Sequence, residues 1–350
     1  MYKALIRPVL FLIPPENVHR LIVTIIKISF KIPGIKYLIK LLYSIRNKRL
    51  ETTVAGIKFP NPVGLAAGFD KNGEIYKEFS AFGFGFIEIG TVTPKAQQGN
   101  EKPRSFRIKH DSALINRMGF NNMGIDKVSR NLSKYRGNLI IGGNIGKNTA
   151  TDNDKALIDY EYCFRKLYEY VDYIAVNVSC PNITNLRKLH NQESLTEILN
   201  RLVWLRNDHE ISKPIFLKIS PDLNQEQIDE TIEIANKVKL DGLIVSNTTV
   251  TRDNLKTDKE TLAKIGEGGL SGKPLAKRST EIITYIHSKT NGTIPIIGVG
   301  GILSAEDAIE KLKAGASLIQ IYTGFIYSGP ALARKINKAV LKYRKAQSKN

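Results

Sequence analysis

Short apolar runs alternate with helix-like segments from residue 63 onward, and this alternation limits the fold more than any other feature. Strands that are buried on both faces read as near-continuous hydrophobic runs, and helices between them are typical of parallel βαβ units. Eight such units close a barrel, so we predict an α/β fold of the (β/α)8 TIM-barrel type. An open doubly wound sheet is the alternative, because it produces the same alternation. The predicted strands are residues 63–66, 86–90, 139–142, 173–178, 215–219, 242–246, 295–299 and 317–321.

Three further segments interrupt this alternation. Residues 51–60 have the pattern of a short hairpin that turns at Ala55-Gly56 and closes the floor of a barrel. The connections 91–138 and 247–292 are too long for simple crossovers. Both are rich in Gly, Asn and Arg but keep apolar anchors, so we expect ordered loops that build a site. The predicted helices include residues 156–170, 195–207, 225–238, 305–314 and 331–343.

The first 50 residues are basic and amphipathic. They hold ten Lys or Arg and a single acid, Glu16, which accounts for nearly half of the net charge of +19. Apolar residues recur at helical spacing on both sides of Pro33-Gly34, but no run reaches the ~20 apolar residues that span a bilayer. Helices of this kind can lie in a membrane interface with Lys and Arg on anionic head groups, or simply cap the main domain. We predict one region over residues 1–48 and a barrel domain over residues 49–350.

Polar, glycine-rich motifs follow the predicted strands. Residues 66–71 (AAGFDK) combine small residues, which let a flat ligand approach the backbone, with a lysine. Later strands end in GTVTP (90–94), GGNIGK (142–147), NVSCPN (177–182) and SNTT (246–249), and the fifth strand carries Lys218. In a barrel all of these motifs lie at the carboxyl-terminal mouth, where active sites of this architecture are found.

Glycine-rich turns near the end of the chain indicate a phosphate site. The sequence GVGG (298–301) precedes a helix that opens at Ser304, and Tyr322-Thr323-Gly324 follows the last strand. Backbone N–H groups of two such loops and a helix N-terminus can hold a phosphate without an arginine. The alternative to a phosphate site is that these glycines only form tight turns.

Asparagines are concentrated in the same predicted mouth loops. Asn116, Asn177, Asn182 and Asn247, with Thr248 beside the last, offer both donors and acceptors. Such a set suits a small ring with alternating N–H and C=O groups. Loop asparagines also form turns, but a turn does not explain the whole set.

Together these motifs resemble those of the dihydroorotate dehydrogenases, flavin enzymes of pyrimidine synthesis, and specifically their membrane-associated, quinone-reducing class 2. The resemblance runs from about residue 51 to residue 329, with a weaker similarity at residues 15–19. It implies oxidation of (S)-dihydroorotate to orotate with FMN as hydride acceptor. The most specific stretches are residues 64–71, 89–94, 116–121, 177–182, 246–249, 268–274 and 296–301.

The resemblance implies two sets of binding residues at the barrel mouth. Lys218 would lie near the pyrimidine edge of the flavin, where reduction places negative charge that a fixed cation stabilises. Lys71 would line the flavin and pair with the carboxylate of dihydroorotate. The implied FMN-binding residues are Ala67, Gly68, Lys71, Thr91, Asn144, Asn177, Lys218, Ser246, Gly272, Gly301, Tyr322 and Thr323. The implied substrate-binding residues are Lys71, Asn116, Arg117, Met118, Gly119, Phe120, Asn177, Asn182, Asn247 and Thr248.

Cys180 stands at the position of the catalytic base, which takes the C5 proton. Class 2 enzymes carry serine there and the soluble class 1 enzymes carry cysteine, so the sequence departs from its apparent class. Asn177 before Cys180 and Pro181-Asn182 after it fix the register. An unperturbed thiol has a pKa of about 8.5 and forms some thiolate near neutrality, so the base role is chemically reasonable. The alternative is that Cys180 is only a small buried residue without a catalytic role.

The N-terminal region bears on the electron acceptor. Class 1 enzymes, which use fumarate or a partner protein, lack such a basic extension, so we expect a membrane quinone. By resemblance, His19, Arg107 and Tyr322 would be polar groups along a quinone tunnel, although each has a plain alternative as a surface or capping residue. Residues 1–48 would contact an anionic membrane, and the protein would be peripheral on the cytoplasmic side of a bacterial cell membrane.

Other functional classes explain less of the sequence. The charge of +19 is compatible with nucleic-acid binding, but outside residues 1–50 the bases form no dense stripe, and we expect no nucleic-acid partner. A phosphate-binding barrel without redox chemistry would account for the terminal glycines but not for Lys218 or the asparagines. Two cysteines in 350 residues exclude a disulfide scaffold. We also expect no bound metal.

Overall fold

A computed structural model describes residues 2–134, 137–178 and 192–348 of the chain. Its strands are β1 (Thr52–Val54), β2 (Ile57–Phe59), β3 (Val63–Leu65), β4 (Phe86–Val92), β5 (Ser105–Ile108), β6 (Ala113–Asn116), β7 (Ile140–Ile145), β8 (Tyr173–Asn177), β9 (Ile215–Ile219), β10 (Gly242–Val245), β11 (Gly269–Gly272), β12 (Ile296–Val299) and β13 (Leu318–Ile321). Its α-helices are α1 (Arg7–Leu10), α2 (Pro15–Ser29), α3 (Ile35–Tyr43), α4 (Tyr76–Phe79), α5 (Ile125–Leu132), α6 (Ala156–Leu167), α7 (Gln192–Asn207), α8 (Gln225–Lys237), α9 (Lys259–Ile265), α10 (Ala276–Lys289), α11 (Ala305–Lys313), α12 (Thr323–Ser328) and α13 (Leu332–Gln347). A π-helical turn, Tyr2–Ile6, precedes α1, and short 3₁₀ turns lie at Lys48–Leu50, Ser80–Phe82, Asn153–Lys155, Tyr168–Tyr170 and Lys273–Leu275.

Eight of these strands pair in parallel and close into a barrel. The order around the barrel is β3, β4, β7, β8, β9, β10, β12 and β13, and β13 pairs with β3 to complete the ring. The predicted TIM barrel is therefore confirmed, and the open doubly wound sheet is excluded. One boundary matters for the site: β7 runs on to Ile145, so Asn144 lies inside the strand and not in the loop after it.

The lower half of the barrel interior is apolar. Side chains two residues apart along a strand point to the same face, so the strands fill the interior in layers. The floor layer is closed by the β1–β2 hairpin, whose Phe59 ring meets the Phe86 ring edge-on at a centroid distance of 5.0 Å. The predicted hairpin thus covers the barrel floor. The buried cluster here contains Val54, Phe59, Phe86, Tyr173, Phe216, Ile244, Ile297 and Leu318.

The two long connections meet each other above the barrel. Strands β5 and β6 form an antiparallel hairpin within the first connection, and β11 of the second connection pairs with β6. Asn116 at the end of β6 lies opposite Gly269 at the start of β11. The expectation of ordered loops is met, and the pairing of the two loops into one sheet is an additional feature.

Helices α1, α2 and α3 lie against the barrel and the inserted sheet. Arg104 donates to the Glu16 carboxylate of α2 through Nη2 at 2.9 Å and through Nε at 3.2 Å. Near the first turn, the Tyr2 hydroxyl donates to the Ile326 carbonyl at 2.6 Å, and Arg107 donates to the Ile13 carbonyl at 2.6 Å. These contacts hold the N-terminal region over one side of the barrel mouth.

None of the described helices is, by itself, both long enough and apolar enough to cross a bilayer. Tyr2–Leu10 and Pro15–Ser29 meet both requirements only as a pair, with a bend of 116° between the two segments.

Candidate active site

A single cavity of about 1250 Å³ joins the barrel mouth to the N-terminal helices. One end is lined by the motifs that follow the barrel strands, and the other end by apolar residues of α1 and α2, including Leu10, Ile22 and Ile26. The cavity brings together many residues predicted from the sequence. These are His19, Ala67, Gly68, Lys71, Thr91, Arg107, Asn116, Met118, Gly119, Phe120, Asn177, Lys218, Ser246, Asn247, Thr248 and Tyr322.

Amide and hydroxyl side chains form a connected network under the barrel mouth. The Thr91 hydroxyl donates to Asn144 Oδ1 at 2.5 Å, and Asn177 Nδ2 donates to Thr91 Oγ1 at 3.0 Å. The Asn177 Oδ1 atom accepts from Asn247 Nδ2 at 3.3 Å. Asn144 and Asn177 are almost fully buried, so these bonds fix their amide groups at the end of β7 and β8. The network therefore holds these side chains in one fixed arrangement.

Lys218 lies at the same level on β9, with a buried carboxylate beside it. Its side chain is 7% exposed, and its Nζ atom is 3.8 Å from Oε1 of Glu88, which is fully buried. Glu88 also accepts from Asn144 Nδ2 at 2.9 Å. Glu88 is a site residue without a motif of its own, but its position two residues after Phe86 in the apolar segment FIEIG places it on the barrel interior.

Lys71 is held at the edge of the cavity by the loop after β3. Its ammonium group donates to Asn121 Oδ1 at 2.6 Å. The preceding Asp70 is buried and accepts from the backbone N–H groups of Glu74 at 2.8 Å and Ile75 at 2.9 Å, which fixes the turn. Asn121 is a further site residue that lies within the selected run 116–121 but was not assigned a role.

Two glycines in the last loops pack so closely against neighbouring backbone that a side chain would clash there. A Cβ atom on Gly272 would lie 2.4 Å from the Ser112 carbonyl oxygen, and one on Gly301 would lie 2.3 Å from Ala276 Cα. Both glycines have positive φ, at 103° and 72°, a conformation that other residues rarely adopt. The Thr323 hydroxyl lies 2.8 Å from the Ser271 hydroxyl beside them. Gly300 and Ser271 line the cavity here. Gly301 and Gly272 follow them in the chain, and Thr323 contacts Ser271.

The three residues predicted along the N-terminal end of the cavity all line it. Burial lowers the pKa of His19 to about 4, with the charge of Lys71 acting in the same direction, so its imidazole is neutral at pH 7. Burial raises the pKa of Tyr322 to about 12 and lowers the pKa of Arg107. The Arg107 guanidinium stacks over Phe11 at 4.5 Å from the ring centroid. These three residues therefore supply two neutral polar groups and one cation to this end of the cavity.

Five predicted residues of the described structure do not line the cavity, namely Asn144, Gly272, Gly301, Thr323 and Arg117. The Arg117 guanidinium donates to the backbone carbonyls of Glu267 at 3.1 Å and Pro103 at 3.2 Å, so its side chain ties the two long connections together. Its predicted role in substrate binding stays a prediction. Cys180 and Asn182 lie outside the described residues, and their roles stay predictions. In the described ranges, no group of three or more His, Cys, Asp or Glu side chains converges as metal ligands would.

Acidification is expected to loosen α2 from the barrel through His19. The docked imidazole has a pKa of about 4, whereas on a detached helix it would have the ordinary value of 6.5. Between pH 4 and pH 6.5, His19 is therefore protonated when α2 is detached and neutral when α2 is docked. Docking is therefore unaffected above pH 6.5 and weakens as the pH falls toward 4. Amide hydrogen exchange of α2, corrected for the intrinsic effect of pH, measures this change.

A His19→Leu variant isolates this contribution. Asp70 has the opposite effect of pH on stability. Burial raises its pKa to about 6, so the folded form binds a proton below that pH and is stabilised by acid. Glu16 and Glu74 also face His19, and all three acids remain in the variant. The exposed His110→Gln variant serves as the matched control and should keep the acid sensitivity. Equal pH dependence in wild type and His19→Leu would contradict the assignment.

Comparison with known proteins gives one consistent family. A family model described as dihydroorotate dehydrogenase matches residues 49–343. Over 341 residues the chain is 54% identical to a Christiangramia forsetii protein named dihydroorotate dehydrogenase (quinone), a match that covers 97% of this chain and 99% of the relative. A Psychrobacter protein of the same name is 46% identical over 353 residues, with 99% of both chains covered.

Solved structures give the same result. The fold is similar to that of DHODH from Eimeria tenella in a crystal structure with ferulenol, with a TM-score of 0.86 and 34% sequence identity. That match covers 95% of this chain and 92% of the other. The ligand-free structure from the same organism has the same TM-score and identity, with 95% and 96% covered.

Proposed function

The chain belongs to the dihydroorotate dehydrogenase family, and from this premise we propose that it oxidises (S)-dihydroorotate to orotate at the barrel mouth and reduces a membrane quinone, with FMN as its cofactor. The two relatives that are named as quinone-dependent match 97% and 99% of this chain, so the matches extend into the N-terminal helices. The protein is therefore assigned to the quinone-dependent enzymes, and the soluble alternative that uses fumarate or a partner protein is not favoured.

The observation that carries this proposal is the continuity of the cavity. Lys71, Asn116 and Asn247 line one end of it, and Leu10 and Ile26 line the other. A flat cofactor across the barrel mouth would therefore meet a small polar acid on one side and an apolar acceptor on the other. Neither a nucleic-acid surface nor a non-redox barrel requires such a two-ended cavity.

The residues at the mouth fit FMN by their chemistry. Gly68, with a φ of 95°, lines the cavity next to the Tyr322 ring, which a Cβ would approach to 3.4 Å, so a flat ring can lie close to the backbone. Lys218 supplies the cation, and Thr91, Asn144 and Asn177 supply amide and hydroxyl groups for the ring edge. The crowded loops at Gly272 and Gly301 would hold the phosphate side through backbone N–H groups. When bound, FMN supplies the hydride acceptor and the link to the quinone.

The substrate would be fixed by charge and by paired hydrogen bonds. Lys71 would exchange its Asn121 contact for the carboxylate of dihydroorotate, and Asn116, Asn177 and Asn247 would bind the ring amides. Holding the ring in one orientation removes much of the entropic barrier to hydride transfer from C6. Cys180 would take the proton from C5, so the substrate loses one proton and one hydride and becomes orotate.

The acceptor end suits a quinone. Arg107 and Tyr322 would offer donors to quinone carbonyls, neutral His19 lies in the same part of the cavity, and α2 supplies apolar walls. Several apolar side chains of α1, α2 and α3 are largely solvent-exposed, for example Val9 at 60% and Leu41 at 62%. This exposed face beside many Lys and Arg residues supports peripheral contact with an anionic membrane on the cytoplasmic side.

An absorbance spectrum of the purified protein tests the proposal. We expect flavin bands near one FMN per chain, and anaerobic addition of dihydroorotate should bleach them, because the substrate hydride reduces the ring. A ubiquinone analogue should then restore the bands. Addition of lactate, an acid without the amide ring, is the control and should leave the spectrum unchanged. Well-folded protein that holds no flavin even after incubation with FMN would overturn the proposal.

A further inference from the structure

We propose that Glu88 is a positioning residue for the redox reaction: its buried carboxylate is the counter-charge of Lys218 and thereby sets the balance between oxidised and reduced FMN. The inference rests on the proposed function, since it takes FMN as the cofactor and Lys218 as the cation at its pyrimidine edge. Four contacts within the barrel carry it.

The carboxylate of Glu88 is fully buried and surrounded by polar groups. Tyr173 Oη donates to Oε2 at 3.1 Å, and Gln320 Nε2 donates to the same oxygen at 2.7 Å. The other oxygen, Oε1, accepts from Asn144 Nδ2 at 2.9 Å and lies 3.8 Å from Lys218 Nζ. Three hydrogen-bond donors and one cation, on four different strands, thus surround one carboxylate.

Packing alone does not explain an acid at this place. Interior layers of this type of barrel are dominated by bulky branched aliphatic residues, and the floor layer below Glu88 is apolar. A buried ion pair contributes little to stability and can often be replaced by apolar residues of similar volume. The Gln320 side chain even leaves its own Oε1 buried without a hydrogen-bond partner in the described structure while its amide group donates to Glu88. The layer is therefore organised around the negative charge.

Glu88 lies close enough to the proposed flavin site for its negative charge to act on bound FMN. Glu88 contacts two residues that the proposed function places at FMN, Asn144 and Lys218. A buried charge 3.8 Å away weakens the positive potential of the lysine, since the low dielectric of the interior screens it little. Lys218 favours the reduced ring, which carries negative charge, and Glu88 opposes that effect. The pair would keep the flavin both reducible by substrate and oxidisable by quinone.

The test is the reduction potential of the bound flavin in Glu88→Gln. Glutamine has nearly the shape of glutamate but no charge, so Lys218 should act at full strength. We expect the equilibrium to move at least tenfold toward reduced FMN, a rise of about 30 mV for a two-electron couple. Anaerobic equilibration with a reference dye measures this shift on the holoprotein without turnover.

Tyr173→Phe is the matched control, because it removes one hydrogen bond to Glu88 and keeps the charge. Its potential should stay near that of wild type or fall slightly. Glu88→Asp moves the carboxylate away from Lys218 and should raise the reduction potential less than Glu88→Gln does. If Glu88→Gln does not retain FMN, the potential of Glu88→Asp is the test of the inference. An unchanged potential in the Glu88 variants, or an equal rise in Tyr173→Phe, would overturn the inference. Wild-type protein without FMN would instead overturn the proposed function.

Discussion

Replacing Cys180 by alanine is expected to slow the reduction of bound FMN by dihydroorotate by about 10²- to 10⁴-fold, the contribution typical of a positioned general base. The FMN content should not change, because the proposed contact of the thiol is with the substrate alone. Cys180 lies three residues after Asn177, which ends β8 and lines the cavity. Stopped-flow absorbance under anaerobic conditions measures this half-reaction directly, without any contribution from quinone.

The second cysteine of the chain provides the control. Cys163 is buried in α6, and burial raises the pKa of its thiol well above the ordinary value. A Cys163→Ala variant should therefore reduce FMN at the wild-type rate. Wild-type kinetics in Cys180→Ala would remove Cys180 from the mechanism, and equal losses in both variants would point to a loss of structure.

The pH dependence of the same step separates a thiol base from a hydroxyl base. An unperturbed thiol ionises at a pKa of about 8.5, so the wild-type rate should rise with pH as the thiolate fraction grows. Cys180→Ser restores the residue found in class 2 enzymes, but its hydroxyl needs stronger activation. We expect this variant to be slower than wild type at neutral pH, yet faster than Cys180→Ala.

Features that depend on local pattern could be predicted from the sequence. The eight barrel strands were found because each is a short apolar run, and the mouth residues followed because parallel strands all place their carboxyl ends at one edge. Thr91, Asn144 and Asn177 were identified from motifs at strand ends, and the structure places them in one hydrogen-bonded network. The FMN, substrate and quinone roles of these residues remain predictions.

Features that depend on contacts between distant segments could not be predicted. The pairing of β11 with β6 joins two connections that are far apart in the sequence, and neither strand has a pattern that names its partner. Arg117 lies in a run with cavity residues, but only the fold shows that its side chain turns away to backbone carbonyls. Glu88 was overlooked because a single acid in an apolar strand has no local signature of its four partners.

Removing residues 1–45 is expected to abolish quinone reduction while sparing the reduction of FMN by dihydroorotate. The N-terminal helices supply one whole end of the cavity, whereas Lys71, Asn177 and Lys218 come from the barrel. Without α1 and α2 the quinone has no positioned site, and we expect kcat/KM for a soluble quinone to fall by at least about 10²-fold. Separate measurement of the two half-reactions, by substrate reduction and by quinone reoxidation, distinguishes this loss from general damage.

Full-length variants keep this prediction testable if the truncated chain does not fold, since Val23, Ile26 and Phe30 also pack against the barrel core. Val23→Trp fills the acceptor end of the cavity and should lower quinone turnover without slowing reduction by dihydroorotate. Leu41→Lys alters an exposed apolar position on α3, so it should weaken binding to anionic vesicles but leave turnover of a soluble quinone intact. If the truncated protein and Val23→Trp both retain full quinone turnover, the acceptor must reach the flavin by a route other than the N-terminal end of the cavity.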